Sequence, residues 1–214
     1  MRRMPPWSAS RWRDDRARRL KSHIVVALLL VPLGGCVSGH GPVTAEATPV
    51  AGGDMVVMPR AAWTRLPASM SQTRWEEVWT RNGPQLDRLA LLGGMPEGRA
   101  ILVQEKHANQ QVPLFRADMT PQDLMSMLEV SYRVQGVAVF DFESVEPVDF
   151  LGGPGVRMRY DYLSGIGFKK QGWCVMRIVG AKLYSMKLEG VASRDFDTVA
   201  LEFDQLVASA KLRR

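Results

Sequence analysis

The sequence WCVMRIVGAKLYSMKL, residues 173–188, decides the fold of this chain. Apolar side chains occupy every second position on either side of a short central segment, at Cys174, Met176 and Ile178 before it and at Tyr184, Met186 and Leu188 after it. A period of two is typical of a β-strand that buries one face. Since Val179-Gly180-Ala181-Lys182 supplies a turn between the two runs, the stretch predicts an antiparallel hairpin.

A third strand and a helix flank this hairpin. Residues 156–162 alternate apolar and charged side chains, which predicts a strand with one buried face. Ser193 is placed to cap a helix that runs from about Arg194 to Ala210. The apolar residues of that helix recur at steps of three and four and form one stripe, at Phe196, Val199, Ala200, Phe203, Leu206, Val207 and Ala210. Such a stripe needs a sheet to lie on.

Further strands are predicted upstream, at Met55–Pro59, Glu76–Thr80, Gln85–Leu92 and Ala100–Lys106. Asn82-Gly83 is a strong hairpin signal between the second and the third of them. The early tryptophans Trp75 and Trp79 could form an aromatic binding platform. If their segment starts helical, however, the two rings share a face and belong to the core, which is the interpretation we favour.

A central helix is predicted from the segment Thr120-Pro-Gln-Asp123. Thr120 can act as the N-cap and Pro121 suits the first helical position, and the apolar pattern continues to about Val134. The helix carries Met125 and Met127. Methionines of this kind indicate core packing, and a soft binding surface is the alternative.

Together these elements predict an α+β fold, in which a central helix and a C-terminal amphipathic helix pack on an antiparallel sheet. The last 60 residues resemble the Mog1/PsbP type of α/β/α sandwich. The resemblance rests on Leu183-Tyr184 after a glycine turn and on the helix Phe196–Ser209. It implies a fold and no functional residue, because that fold hosts unrelated binding roles.

The N-terminal residues predict a secretory leader. Residues 1–21 are strongly basic and are followed by a ten-residue apolar run, Ile24–Leu33, which is too short for a comfortable membrane span. The expected organisation is therefore a signal peptide over residues 1–35, a flexible tether rich in Gly, Pro, Ala and Thr over 36–53, and one globular α+β domain over 54–214.

Leu33-Gly34-Gly35-Cys36 at the end of this leader resembles the lipobox of bacterial lipoproteins. The resemblance implies that the chain is cut before Cys36 and that the thiol of Cys36 carries a diacylglyceryl group. Several acyl chains bury enough methylenes to hold a protein firmly on a membrane. Residue 37 is Val rather than Asp, which favours the periplasmic face of the outer membrane over retention at the inner membrane.

The charge of the chain gives no support to a nucleic-acid partner. Residues 1–21 hold eight of the 28 basic and two of the 22 acidic residues, so the remainder carries 20 of each. The formal net charge of +6 thus belongs to the leader, and the mature part is neutral. After lipidation of Cys36 the one remaining thiol is Cys174. Alternation predicts that Cys174 is buried and inert, and an intermolecular disulfide is the alternative.

Candidate catalytic and metal-binding residues are few. Downstream of the leader the histidines are His40, in the predicted tether, and His107, in a polar stretch that predicts a solvent-facing loop. The spacing of Cys and His fits no metal site, and no cofactor is expected. The acidic residues Asp141, Glu143, Glu146 and Asp149 are interpreted as a charged strand face and loop.

These observations favour a non-enzymatic function. The first hypothesis is an outer-membrane-anchored lipoprotein that binds an envelope protein or takes part in assembly. The second is a carrier or sensor of an apolar ligand, with Met125, Met127 and the tryptophans lining a cavity between sheet and helix. The third is an enzyme that uses His107 together with a carboxylate from the 141–149 segment.

Overall fold

The hairpin at residues 169–191 lies in the middle of a large antiparallel sheet in the computed structural model, which describes residues 41–103, 111–165 and 167–213. The strands are β1 (Gly41–Pro42), β2 (Thr48–Pro49), β3 (Met55–Val57), β4 (Thr64–Arg65), β5 (Glu76–Thr80), β6 (Asp87–Pro96), β7 (Phe140–Asp149), β8 (Pro154–Leu163), β9 (Lys169–Val179), β10 (Lys182–Val191) and β11 (Lys211–Leu212). The helices are α1 (Pro121–Val134) and α2 (Arg194–Ser209), and a 3-10 turn spans Ala68–Met70.

Eight strands form the large sheet in the order β1-β4-β5-β6-β10-β9-β8-β7, with every neighbouring pair antiparallel. The β9–β10 hairpin closes at Gly180 and Ala181, whose φ angles are 54° and 60°. Positive φ at both central residues is the mark of the type I′ turn, whose twist matches that of right-twisted strands. A second sheet of three short strands, β11-β3-β2, lies beside the large one.

Each face of the large sheet supports a separate apolar core. The face that α2 covers contains Trp63, Trp79, Leu188 and Phe203, each at most 1% exposed. The other face, which α1 covers, has its own cluster around Phe115, Leu128 and Met158. The α+β class and the placement of both helices on an antiparallel sheet are confirmed.

Local capping explains where the helices begin. Thr120 accepts a hydrogen bond from the Asp123 amide at 3.2 Å, and the Asp123 carboxylate accepts one from the Thr120 amide at 2.8 Å. This capping box satisfies two amides that the helix leaves unpaired. Ser193 caps α2 by accepting from the Phe196 amide at 3.4 Å. Both predicted helices are confirmed to within a residue at their ends.

The predicted strand at Ala100–Lys106 is wrong over residues 100–103, and residues 104–106 lie outside the described part of the chain. Ile101 and Leu102 are buried on the α1 face without joining the sheet. Both edges of β6 are already paired with β5 and β10, so no strand position is open there. Instead Val103 is held by the Gln72 and Gln135 side chains, at 3.1 and 2.6 Å.

The tether predicted for residues 36–53 is wrong over its described part, residues 41–53. β1 and β2 lie within it, and Val43 and Val50 are 8% and 0% exposed. The Val43 amide donates to the Trp63 carbonyl at 2.8 Å. The composition suggested a linker, but these two valines complete the core under α2, so the folded part starts at least as early as Gly41.

The two early tryptophans do not form a shared platform. Trp79 is fully buried in the core under α2, whereas Trp75 is half-buried and packs on the core under α1. The two rings lie on opposite faces of the sheet, because Trp75 is in the turn before β5 and so outside the strand that places Trp79. The guanidinium groups of Arg74 and Arg99 lie 4.5 and 5.7 Å from the Trp75 ring centre.

Candidate functional site

An apolar groove opens between the start of α1 and the strands β8 and β9. Its volume is about 270 Å³, and its lining includes Met119, Leu124, Val156, Met176, Ile178 and Arg177. Concave, mostly apolar sites with one or a few polar groups are typical of binding sites in proteins. The groove is the open part of the α1 face.

Close backbone packing shapes the floor and one wall of this groove. A Cβ atom at Gly155 would lie 2.8 Å from the Met176 carbonyl, so only glycine allows β8 and β9 to come this close. The Arg177 guanidinium donates to the Phe150 and Leu151 carbonyls at 2.8 and 2.7 Å. These bonds hold the turn between β7 and β8 against β9, where Leu151 has a φ of 55°.

A small, partly open cavity lies next to the groove, further along α1. It measures about 20 Å³ and is lined by Glu76, Ser185, Lys187 and Leu128, among others. A cavity needs at least about 10–15 Å³ and two or more polar partners to hold one water molecule. The site is therefore large enough for a single water and too small for an organic ligand.

A cluster of tyrosine hydroxyls and opposite charges lies beside this cavity. Glu189 is 8% exposed and accepts a hydrogen bond from Tyr160 at 2.9 Å and another from Tyr132. The Lys187 ammonium donates to the Tyr132 hydroxyl at 2.6 Å and lies 3.7 Å from the Glu189 carboxylate. Every buried charge in the cluster thus has a partner, as low-dielectric surroundings require.

The electrostatics of this cluster favour an ionised Glu189. Burial by itself raises the pKa of that carboxyl, but the Lys187 ammonium and the Tyr132 and Tyr160 hydroxyls outweigh it and hold the pKa below its ordinary value. Burial, and then the Glu189 charge, raises the pKa of both Tyr132 and Tyr160. The tyrosines therefore remain protonated donors.

Glu76, on the other side of the cavity, has the opposite shift. Its side chain is 6% exposed and pairs with Arg88 at 3.1 Å. Burial raises the pKa of the Glu76 carboxyl, and the Lys187 and Arg88 charges only partly counteract this. Protonation of Glu189 therefore destabilises the folded state, whereas protonation of Glu76 stabilises it.

One stripe of α1 links the three features. Leu124 lines the groove, Leu128 lines the cavity and Tyr132 joins the polar cluster. Residues four apart share one side of a helix, so these three follow one another along the sheet. The arrangement offers an open apolar site with a buried polar network behind it, which suits binding.

The candidate residues from the sequence analysis have separate outcomes in the structure. Cys36, His40 and His107 lie outside the described residues, so the predictions made for them stay predictions. Cys174 is buried on the α1 face, and burial raises the pKa of its thiol to about 12. This agrees with an inert thiol.

The acidic segment 141–149 is the edge strand β7, whose acidic side chains are exposed. Charged residues on an edge strand discourage pairing with another chain. Among the residues that the structure describes, no three His, Cys, Asp or Glu side chains form a possible metal site.

The structure also buries two polar side chains of β10, Ser185 and Lys187, which the alternating pattern did not predict to be buried. Ser185 is 7% exposed and the Lys187 side chain 13%. The signal that could have found them is the second amphipathic helix. Since α1 and α2 both need a sheet face, the central strands must be covered on both sides.

Solved structures that are similar to this chain include the following two. PsbP (CyanoP) of the cyanobacterium Synechocystis sp. PCC 6803 matches with a TM-score of 0.51 and 16% identity, over 85% of this chain and 99% of that chain. LpqN of Mycobacterium tuberculosis, described as involved in cell envelope biogenesis, matches with a TM-score of 0.39 and 13% identity, over 82% of this chain and 91% of that chain. No protein-family model and no curated protein matches the sequence.

The fold is therefore that of a PsbP-like α/β/α sandwich. This agrees with the resemblance that the C-terminal residues indicated. At 16% identity the likeness extends to the fold alone.

Proposed function

We propose that this chain is a lipoprotein of the bacterial cell envelope, anchored through Cys36 at the periplasmic face of the outer membrane, that binds an envelope protein without catalysing a reaction. The lipobox-like residues Leu33-Gly34-Gly35-Cys36 motivate the anchor. The observation that carries the binding role is the groove between α1 and the strands β8 and β9.

The chemistry of the groove fits an apolar side chain of a protein partner. Its walls are methionine, leucine, valine and isoleucine side chains, and the guanidinium of Arg177 is already bonded to two carbonyls. Apolar side chains that insert into small apolar pockets contribute most of the affinity at many protein interfaces. In the described part of the chain neither helix is long and apolar enough to cross a bilayer.

In-cell photocrosslinking tests the binding role. A photoreactive amino acid replaces Met119 or Pro154 at the groove, and Leu201, which is 65% exposed on α2, serves as the matched control. We expect discrete protein adducts from the two groove positions and none of the same mass from residue 201. Identical adducts from all three positions would contradict a role for the groove.

A carrier or sensor of an apolar ligand is the second candidate, and the same groove favours it. The cavity first expected between helix and sheet does not form around Met127, which is buried in the core, and the space next to Leu128 measures only about 20 Å³. An apolar ligand would instead occupy the groove. The molecule captured at residues 119 and 154 would then resist protease and be soluble in organic solvent, instead of being a protein.

The anchor has a separate test. In a strain labelled with radioactive fatty acid, Cys36→Ser should abolish labelling of the protein and leave the uncut precursor. Continued labelling of this variant would refute lipidation at Cys36.

The remaining alternative is an enzyme that uses His107. Failure of the His107→Ala variant to restore the phenotype of a knockout strain would support it.

A further inference from the structure

We infer that the β1–β4 edge of the large sheet faces the lipid headgroups of the bilayer, and that the protein is held close to the membrane in this one orientation. The inference rests on the proposed lipidation of Cys36. The occupant of this surface is a bilayer of anionic and zwitterionic phospholipids.

Sequence spacing sets the distance. Only residues 37–40 separate Cys36 from Gly41, the first residue of β1. A polypeptide extends at most about 3.6 Å per residue, so the Cα atom of Gly41 can lie no more than about 18 Å from that of a lipidated Cys36. A tether of 18 residues would have allowed a maximum reach of about 65 Å, more than three times as far.

The start of the folded part is firmly attached at this edge. Gly41 and Pro42 pair with Arg65 and Thr64 in an antiparallel ladder, and the buried Val43 continues from it into the core under α2. The position of Gly41 relative to the sheet is therefore fixed by backbone pairing and by burial. A short link to a fixed point limits rotation as well as distance.

The side chains near this edge suit a phospholipid surface. Met58 is 50% exposed and Arg60 is exposed, and both lie in the chain that leads from β3 to Thr64. Arg60 forms no salt bridge within the described residues, whereas the exposed acidic residues of the region are Glu46 and Asp54, of which Asp54 is paired with Lys182 at 2.7 Å. Basic residues near a membrane are attracted by anionic lipids.

The same orientation places the groove away from the bilayer. β9 is the fifth strand from β1 across the sheet and β8 is the sixth. Neighbouring strands are about 4.8 Å apart, which puts roughly 24 Å between the β1 edge and the groove. A partner could then reach the groove without contacting lipid.

Site-specific quenching on vesicles tests this orientation. The lipidated protein is reconstituted into phosphatidylethanolamine and phosphatidylglycerol vesicles that carry a nitroxide on a fraction of the headgroups. A fluorophore is attached at Thr64→Cys or Arg60→Cys near the β1 edge, or at Glu146→Cys on the opposite edge strand β7. Cys174 is retained, because a buried thiol takes no label in the folded protein.

We expect headgroup quenching at residues 60 and 64 to be at least about twofold stronger than at residue 146, because seven strand spacings separate the two edges. A flexible insertion of Gly and Ser residues between Val37 and Ser38 keeps the residue after Cys36 unchanged. It should reduce the difference while the protein still floats with vesicles.

Equal quenching at all positions, or stronger quenching at residue 146, would overturn the inference while flotation leaves the anchor intact. Protein that fails to float with the vesicles would instead contradict the proposed function. The two failures are thus seen in different measurements.

Discussion

The two faces of the large sheet are built from different kinds of side chain. The face under α2 buries an almost wholly apolar set, with Trp79, Leu188 and Phe203 at its centre. The face under α1 combines aromatic and aliphatic packing with the Glu189, Lys187 and Glu76 charges, a water-sized cavity and an open groove. An apolar core already stabilises the fold from one side, so the second face can carry features that stability alone does not require.

The largest expected effect is on the α2 face. Phe203 is fully buried and meets the Trp173 ring edge-on at 6.5 Å between ring centres. Phe203→Ala should lower the free energy of unfolding by about 4 kcal/mol, since it removes a large buried side chain and leaves a cavity. Urea denaturation measures the change, and Leu201→Ala on the exposed side of the same helix should change it by less than about 0.5 kcal/mol.

The next effect tests the charges of the α1 face. Lys187→Met should lower the free energy of unfolding by about 3 kcal/mol, because it leaves the buried Glu189 carboxylate without its cation. Adding Glu189→Gln should recover more than half of the loss. Lys182→Met on the same strand removes an exposed pair with Asp54 and should change stability by less than about 1 kcal/mol. If the two lysine variants lost equal amounts of unfolding free energy, the buried Lys187–Glu189 pair would contribute no more than an exposed one.

Acid should act on the α1 face in two opposite ways. The pKa of Glu189 is lowered in the folded state, so its contribution is present above the unfolded value of about 4.3 and is lost as the pH falls through the folded pKa. The pKa of Glu76 is raised, so its protonation favours the folded state as the pH falls. Between pH 6 and pH 3, Glu189→Gln should lose less stability than the parent and Glu76→Gln more. Parallel curves for all three proteins would contradict these assignments.

The smallest effect on stability is expected at the groove. Ile178 is half-buried, so Ile178→Ser should lower the free energy of unfolding by only about 1 kcal/mol. It should nevertheless remove the crosslinks formed from residues 119 and 154. Leu163→Ser, at an exposed position on the neighbouring β8, is the control that should keep them. Crosslinks that survive Ile178→Ser would place the partner elsewhere.

Alternation and capping predicted the α2 side of the fold from particular residues. The stripe from Phe196 to Val207 and the Ser193 cap located α2, and the 173–188 segment located the hairpin beneath it. Thr120 and Pro121 located α1 equally well. These signals are local, because they depend on the period of a strand or helix and on the backbone amides at a helix start.

The groove and the polar cluster were not predictable in this way. Glu189 meets Tyr132 and Tyr160 across 57 and 29 residues of chain, and no local pattern records such a contact. The order of the strands brought them together. The same limit explains residues 41–53, whose composition resembles a linker although their valines complete a distant core.

The sequence by itself determined the helices, the central hairpin, the class of fold and, through four residues at the end of a leader, the expectation of a lipid anchor at Cys36. Only the tertiary structure decided that Lys187 and Glu189 are buried as partners, that a groove opens beside the start of α1, and that the folded part already includes Gly41. The physical reason is that periodicity states which side chains share a face, whereas burial depends on what packs against that face from elsewhere in the chain.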